Sequence, residues 1–117
     1  MAKRNTSKAR SLDQENFVAR TYGGRRSPSS GAQANDPGDV RTDSKLIECK
    51  QTGEVGKTPY PKSFSLKLGE FEKIYEEALK IMRDPMMAVR VYNPDSPLAD
   101  KDGNVDFAVR LMRHENE

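Results

Sequence analysis

Apolar positions are sparse before residue 40 and recur in two distinct rhythms after it. In EFEKIYEEALKIMR, the residues Phe71, Ile74, Tyr75, Ala78, Leu79 and Met82 fall at i, i+3, i+4, i+7, i+8 and i+11. That spacing sets one face of a helix against a core. Asp84-Pro85 ends the pattern, since proline has no N–H to continue a helix. Met86 to Tyr92 then reads as a largely buried strand, and Val105 to Leu111 as another after a Pro- and Asp-rich loop. Upstream, Leu46-Ile47-Glu48-Cys49-Lys50 reads as a strand forming a hairpin with the chain from Asp39, across a turn at Asp43-Ser44. Alternation points Ile47 and Cys49 to one face and Leu46, Glu48 and Lys50 to the other.

The connection from Gln51 is polar, and Ser63 to Leu66 forms either a third strand or the approach to the long helix. Near the front, Ser11 followed three residues later by Gln14 has capping-box spacing, which predicts a short helix over 12–21 ending near Gly23-Gly24. The run GGRRSPSSGAQANDPG reads as loop throughout. The order of helix, two or three strands, helix and two strands predicts a mixed α/β (α+β) fold, a central mixed sheet flanked by helices.

With 117 residues, 34% hydrophobic and 32% charged, the chain suits one modest domain. Residues 1–10 read as a disordered basic arm and 11–117 as the single folded domain. The net charge of +2 is unevenly spread: residues 1–26 carry seven Lys/Arg against two acids, leaving the remainder at −3. Such an arm either contacts nucleic acid phosphates or serves as a solubilising tail. One cysteine excludes an internal disulfide and suits a reducing compartment. The apolar runs fall short of the roughly 18 residues of a membrane span, so a cytoplasmic protein with no membrane partner is expected. Met82, Met86 and Met87 are read as core filler. Lys67, Lys73 and Lys80 are read as a solvated face. His114 stands alone, and the Asp100–Asp106 turn lacks the ligand order of a calcium loop.

The hairpin carries the candidate chemistry. A tight turn sets Thr42 against Lys45, Arg41 against Leu46, and Asp39 against Glu48. Opposed like charges destabilise a sheet, and a divalent cation relieves them: Mg²⁺ is typically held by one or two carboxylates with waters and phosphate oxygens. Lys50 would lie beside the ion's bound water, and the backbone carbonyl of Cys49 would offer another oxygen. An ordinary amphipathic hairpin with its charges in water accounts for the same spacing. Arg25 and Arg26, with Ser29 and Ser30, are candidate contacts to a nucleic acid backbone on a loop that otherwise reads as merely flexible. Lys8 and Arg10, with Lys3 and Arg4, would add nonspecific, salt-sensitive affinity.

An acid followed on the next strand by Glu-X-Lys, here Pro37-Gly38-Asp39 and Glu48-Cys49-Lys50, resembles the signature of the PD-(D/E)XK nuclease superfamily. Within it the chain is most similar to the small archaeal and phage Holliday junction resolvases. The matching parts are Glu15 on an N-terminal helix, the Arg25–Gly31 loop before the Asp, and the helix and two strands from Phe71 to Leu111. Gly38 departs from the signature by separating Pro37 from Asp39. The resemblance covers nearly all of the chain beyond residue 10, and its specificity lies in the ordered set rather than in Glu-X-Lys alone.

The resemblance implies a restriction-endonuclease-like fold and a Mg²⁺-dependent endodeoxyribonuclease, with Mn²⁺ as a substitute. It implies branched or four-way-junction DNA as substrate, a homodimer, and location in the host cytoplasm for a phage protein. Asp39 and Glu48 would hold the metal, Lys50 would be catalytic, and Glu15 would be an outer metal or water contact; a solvated helix glutamate is the other reading of Glu15. The competing functions are a nicking, restriction-like or end-processing nuclease of the same fold, and a non-enzymatic nucleic-acid-binding accessory protein.

Overall fold

The structure, a computed structural model, describes residues 7–27 and 39–114. Helix α1 (Ser7–Tyr22) leads into a two-residue strand β1 (Arg25–Arg26), followed by β2 (Val40–Arg41) and β3 (Lys45–Thr52). Helix α2 (Leu68–Lys80), β4 (Asp84–Tyr92), β5 (Asn104–Val109) and a short 3₁₀ turn (Met112–His114) complete the described residues. The five strands form one sheet in the order β1-β2-β3-β4-β5. All neighbours are antiparallel except β3 and β4, which are parallel and joined through α2. The fold is therefore mixed α/β, a five-stranded mixed sheet with two helices.

Strand alternation decides what each helix covers. Ile47 and Cys49 of β3, with Met86 and Ala88 of β4, pack beneath Phe17, Val18 and Ala19 of α1. Leu46 and Met87 point the other way, against Phe71, Ile74 and Ala78 of α2. A third cluster of Val89, Val91 and Val105 lies under Phe64. Burying these aliphatic side chains stabilises the fold by roughly 1.5–3 kcal/mol for each one fully removed from water.

Several expectations need correction. The first helix starts at Ser7, inside the stretch read as a basic arm, and continues to Tyr22. Gln14 is no cap: it is fully buried, and its Nε2 donates to the carbonyls of Lys50 and Ala88, each at 3.1 Å. The helix ends at Gly23, whose φ of +70° suits glycine. A Cβ on Gly24 would collide with the carbonyl of Arg41, so the chain can pass close to β2 only as glycine. Arg25 and Arg26 belong to a strand paired with Arg41 and Val40 rather than to a loop. Residues 63–66 are the approach to α2 and not a strand.

Met86 and Met87 are core residues, but Met82 is 90% exposed and Leu79 57% exposed. The helix stops before Met82 can continue its face. The Arg83 amide donates to the Ala78 carbonyl at 2.9 Å and the Met82 amide to Leu79 at 3.2 Å, with Met82 at φ +59°. That is a Schellman ending with methionine at the usual glycine position. No helix among the described residues is long and apolar enough to cross a membrane.

Candidate active site

The hairpin folds locally as its sequence specifies. Thr42 Oγ1 accepts the amides of Ser44 and Lys45 at 3.1 and 2.9 Å, which closes the turn. Val40 pairs with Ile47 and Arg41 with Leu46. The ladder stops there, and Asp39, just before β2, still bonds to Ile47 rather than continuing the register to Glu48. Asp39 is tied down on three sides. Its amide donates to the Ile47 carbonyl at 2.9 Å, its carbonyl accepts from the Ser27 amide at 2.9 Å, and Oδ2 accepts from the Cys49 amide at 2.8 Å. The expected oxygen from Cys49 was its carbonyl; the Cys49 atom that meets Asp39 is the amide. Burial, then Asp39, Glu15 and Glu48, push the Cys49 thiol far up, so it stays protonated.

Glu48 shares its strand face with Leu46 and Lys50. Its carboxyl is pushed up to about 7, first by burial and next by Asp39, with Glu77 and Glu15 adding to the rise and Lys73 opposing it. The hydrogen bonds among the described residues include none to its side chain. Two acids thus stand together with one anchored by a backbone amide and the other held partly protonated near neutral pH.

Lys50 is differently engaged from the expected water contact. Its Nζ donates to the Ser65 carbonyl at 2.7 Å and to both Glu70 oxygens at 3.0 and 3.2 Å. Glu70 Oε1 also accepts the Lys67 amide at 2.9 Å. Backbone bonding from Lys67, followed by the Lys50 hydrogen bond, holds the Glu70 carboxyl below the usual range. Sequence reasoning missed Glu70, although its place at the third position of α2 is where a glutamate reaches back to the cap.

Glu15 is buried on α1 and lies 3.6 Å from Arg26 Nη1. It lines a cleft of about 470 Å³ with Arg10, Gln14, Cys49 and Gln51. Arg10 is structural here: its guanidinium donates to the Gly53 carbonyl at 2.8 Å, and its own carbonyl accepts from Gln51 Nε2 at 2.7 Å. Among the described residues no group of three or more His, Cys, Asp or Glu side chains gathers to hold a metal, so Glu15 does not complete a three-acid cluster with Asp39 and Glu48. Lys8 falls in the first turn of α1, with its side chain outside the described set; Ser29, Ser30, Gly31, Pro37 and Gly38 lie outside the described residues.

Asp39 and Glu48 are the two carboxylates that could hold Mg²⁺, which needs only one or two when waters and phosphate oxygens supply the remaining positions. Arg26, on strand β1, lies against Glu15, and Arg25, the preceding residue of that strand, alternates to its other face. Compared with known proteins, the chain matches no family model, no curated protein and no solved structure.

Proposed function

We propose that this chain is a metal-dependent endodeoxyribonuclease of the PD-(D/E)XK type, with a restriction-endonuclease-like fold, that cuts branched DNA as a Holliday junction resolvase does. The observation that carries the reading is Glu48, partly buried against Asp39 and raised to about 7. A bound cation would offset that repulsion. Asp39 and Glu48 would hold Mg²⁺ or Mn²⁺, which would supply charge neutralisation at the phosphoryl oxygens and a lowered pKa for a bound water.

The remaining roles belong to the chain's own side chains. The Cys49 amide fixes the orientation of the Asp39 carboxylate. Arg25 and Arg26 are exposed and would position the DNA backbone without reading its sequence. Lys50, on the Glu48 face, would have to exchange Glu70 and the Ser65 carbonyl for a phosphate oxygen. Dimeric action would place two such sites on opposed strands of one junction.

Cleavage of a labelled four-way junction and its matched duplex, with and without Mg²⁺, tests this. Junction-confined, Mg²⁺-dependent cuts that vanish in Glu48→Gln are expected, with binding retained. Cleavage of flaps or linear duplex instead would indicate the nicking or end-processing enzyme.

A second reading, a nucleic-acid-binding accessory protein, is favoured by one observation: the three ammonium donors of Lys50 are already met by Ser65 and Glu70. Salt-sensitive DNA binding with no metal-dependent product would select it.

A further inference from the structure

Helix α2 is pinned to the β2–β3 hairpin at both ends. Near its start Glu70 Oε1 lies 3.0 Å from Lys50 Nζ, and just past its end Arg83 Nε donates to the Thr42 carbonyl at 2.9 Å, ahead of β3. The helix therefore runs back along β3, antiparallel to it. One strand repeat back from Lys50, roughly 6.6 Å, stands Glu48 on the same face. One helical turn on from Glu70, roughly 4.5–6 Å, stand Lys73 and Ile74. Ile74 is buried in the core with Leu46, whereas Lys73, three residues on from Glu70, shares the flank of α2 from which Glu70 meets Lys50. The strand thus presents Lys50 and then Glu48 where the helix presents Glu70 and then Lys73.

Lys73 is exposed, and among the described residues it makes no hydrogen bond or ion pair. Glu48 nevertheless feels it: the Lys73 ammonium pulls the Glu48 carboxyl down, against burial, Asp39, Glu77 and Glu15. Its flexible four-carbon stem lets that ammonium swing towards a ligand. Lys50 is placed otherwise. Its donors are met by the Ser65 carbonyl and both Glu70 oxygens, and Glu70 is itself fixed by the Lys67 amide. A phosphate would have to displace a charge-assisted pair to reach Lys50 and would displace nothing to reach Lys73.

We propose that Lys73 is the ammonium that meets the substrate phosphate beside Asp39 and Glu48, while Lys50 holds β3 to the start of α2. Lys73 takes this role on the nuclease reading of the site and changes which side chain carries its positive charge. An ammonium aimed at the phosphoryl oxygens offsets the negative charge that builds there during displacement, and it is worth more beside partly buried groups than in bulk water. Before any substrate arrives, the same ammonium eases the repulsion at the acidic pair. Lys73 reads as solvated surface in the sequence because its period sets it off the apolar face of α2; only the crossover along β3 brings Glu48 to it.

Two measurements on the full chain test this, one of them without cleavage. Acetylation by a water-soluble N-hydroxysuccinimide ester, read by mass spectrometry, is expected to be fast at Lys73 and slow at Lys50 in the free protein. A synthetic four-way junction added with Ca²⁺ is expected to slow Lys73 severalfold. In single-turnover cleavage with Mg²⁺, Lys73→Met is expected to lose about 100-fold in rate with Tm close to wild type, and Lys73→Arg to recover about tenfold of that loss. Lys50→Met is expected to lower Tm and to cost less rate than Lys73→Met. Lys73 acetylation that the junction leaves unchanged overturns the proposal, whether or not the DNA is cut. So does cleavage by Lys73→Met at the wild-type rate, which would return the role to Lys50. Protection of Lys73 with no cut in any DNA would instead overturn the nuclease reading and leave the phosphate contact standing.

Discussion

Lys50 Nζ lies 3.0 Å from Glu70 Oε1, and the same carboxylate oxygen accepts the Lys67 amide at 2.9 Å. One glutamate therefore caps α2 and anchors the lysine of the candidate site, joining the two elements on which that site depends.

This arrangement makes a pH prediction. The Glu70 carboxyl is lowered, chiefly by the Lys67 amide and then by Lys50. A lowered acid contributes stability that is present above its ordinary value and lost as pH falls through its folded one. Glu70→Gln is expected to be less stable than wild type at pH 7, with the gap closing in acid. Urea denaturation at pH 7 and below pH 4.5 reads this directly; a gap that persists unchanged in acid would show that the charge is not its source.

Glu48 has the opposite sign. Its folded value, about 7, lies above the ordinary 4.5, so the folded state holds the proton more tightly and stability falls as pH rises from 4.5 through 7. Glu48→Gln removes that penalty. The variant is expected to be more stable than wild type by about 2 kcal/mol at pH 8, after allowance for partial exposure, and close to equal at pH 4. Added Mg²⁺ is expected to stabilise wild type at pH 8 and leave the variant unmoved. Equal Mg²⁺ responses in the two proteins would remove Glu48 from the metal site.

Gln14 bridges β3 and β4 from α1, donating to two carbonyls while fully buried. Gln14→Leu keeps the volume close and removes both donors, leaving buried acceptors short of partners. A loss of about 2–4 kcal/mol is expected in chemical denaturation. A change below about 0.5 kcal/mol would mean the carbonyls find other donors.

Met82 occupies the left-handed position after α2 at φ +59°, with 90% of its surface exposed. It sacrifices almost no packing if removed. Met82→Gly is expected to raise stability by about 1 kcal/mol, seen as a higher Tm. A lower Tm would show that the exposed side chain has a role the isolated chain conceals.

The elements legible in the sequence were those governed by short-range rules. Helix α2, strands β4 and β5 and the hairpin register all follow from apolar period, a proline stop and a tight turn. For the same reason Leu46, Glu48 and Lys50 could be assigned to one strand face. The early start of α1 escaped because its buried face includes Gln14 and Glu15 beside Val18, which no apolar period marks. Strand β1 escaped because Arg25-Arg26 has no strand pattern and exists only by pairing with β2.

Contacts between distant segments decided the rest. Gln14 finds Ala88 across 74 residues, Lys50 finds Glu70 across 20, and β3 lies parallel to β4 only because α2 crosses between them. The sequence by itself determined which residues could stand on a shared face, since backbone geometry sets that within a few positions. Which groups neutralise one another was decided by tertiary structure, because desolvation and charge pairing depend on neighbours that the chain supplies from elsewhere.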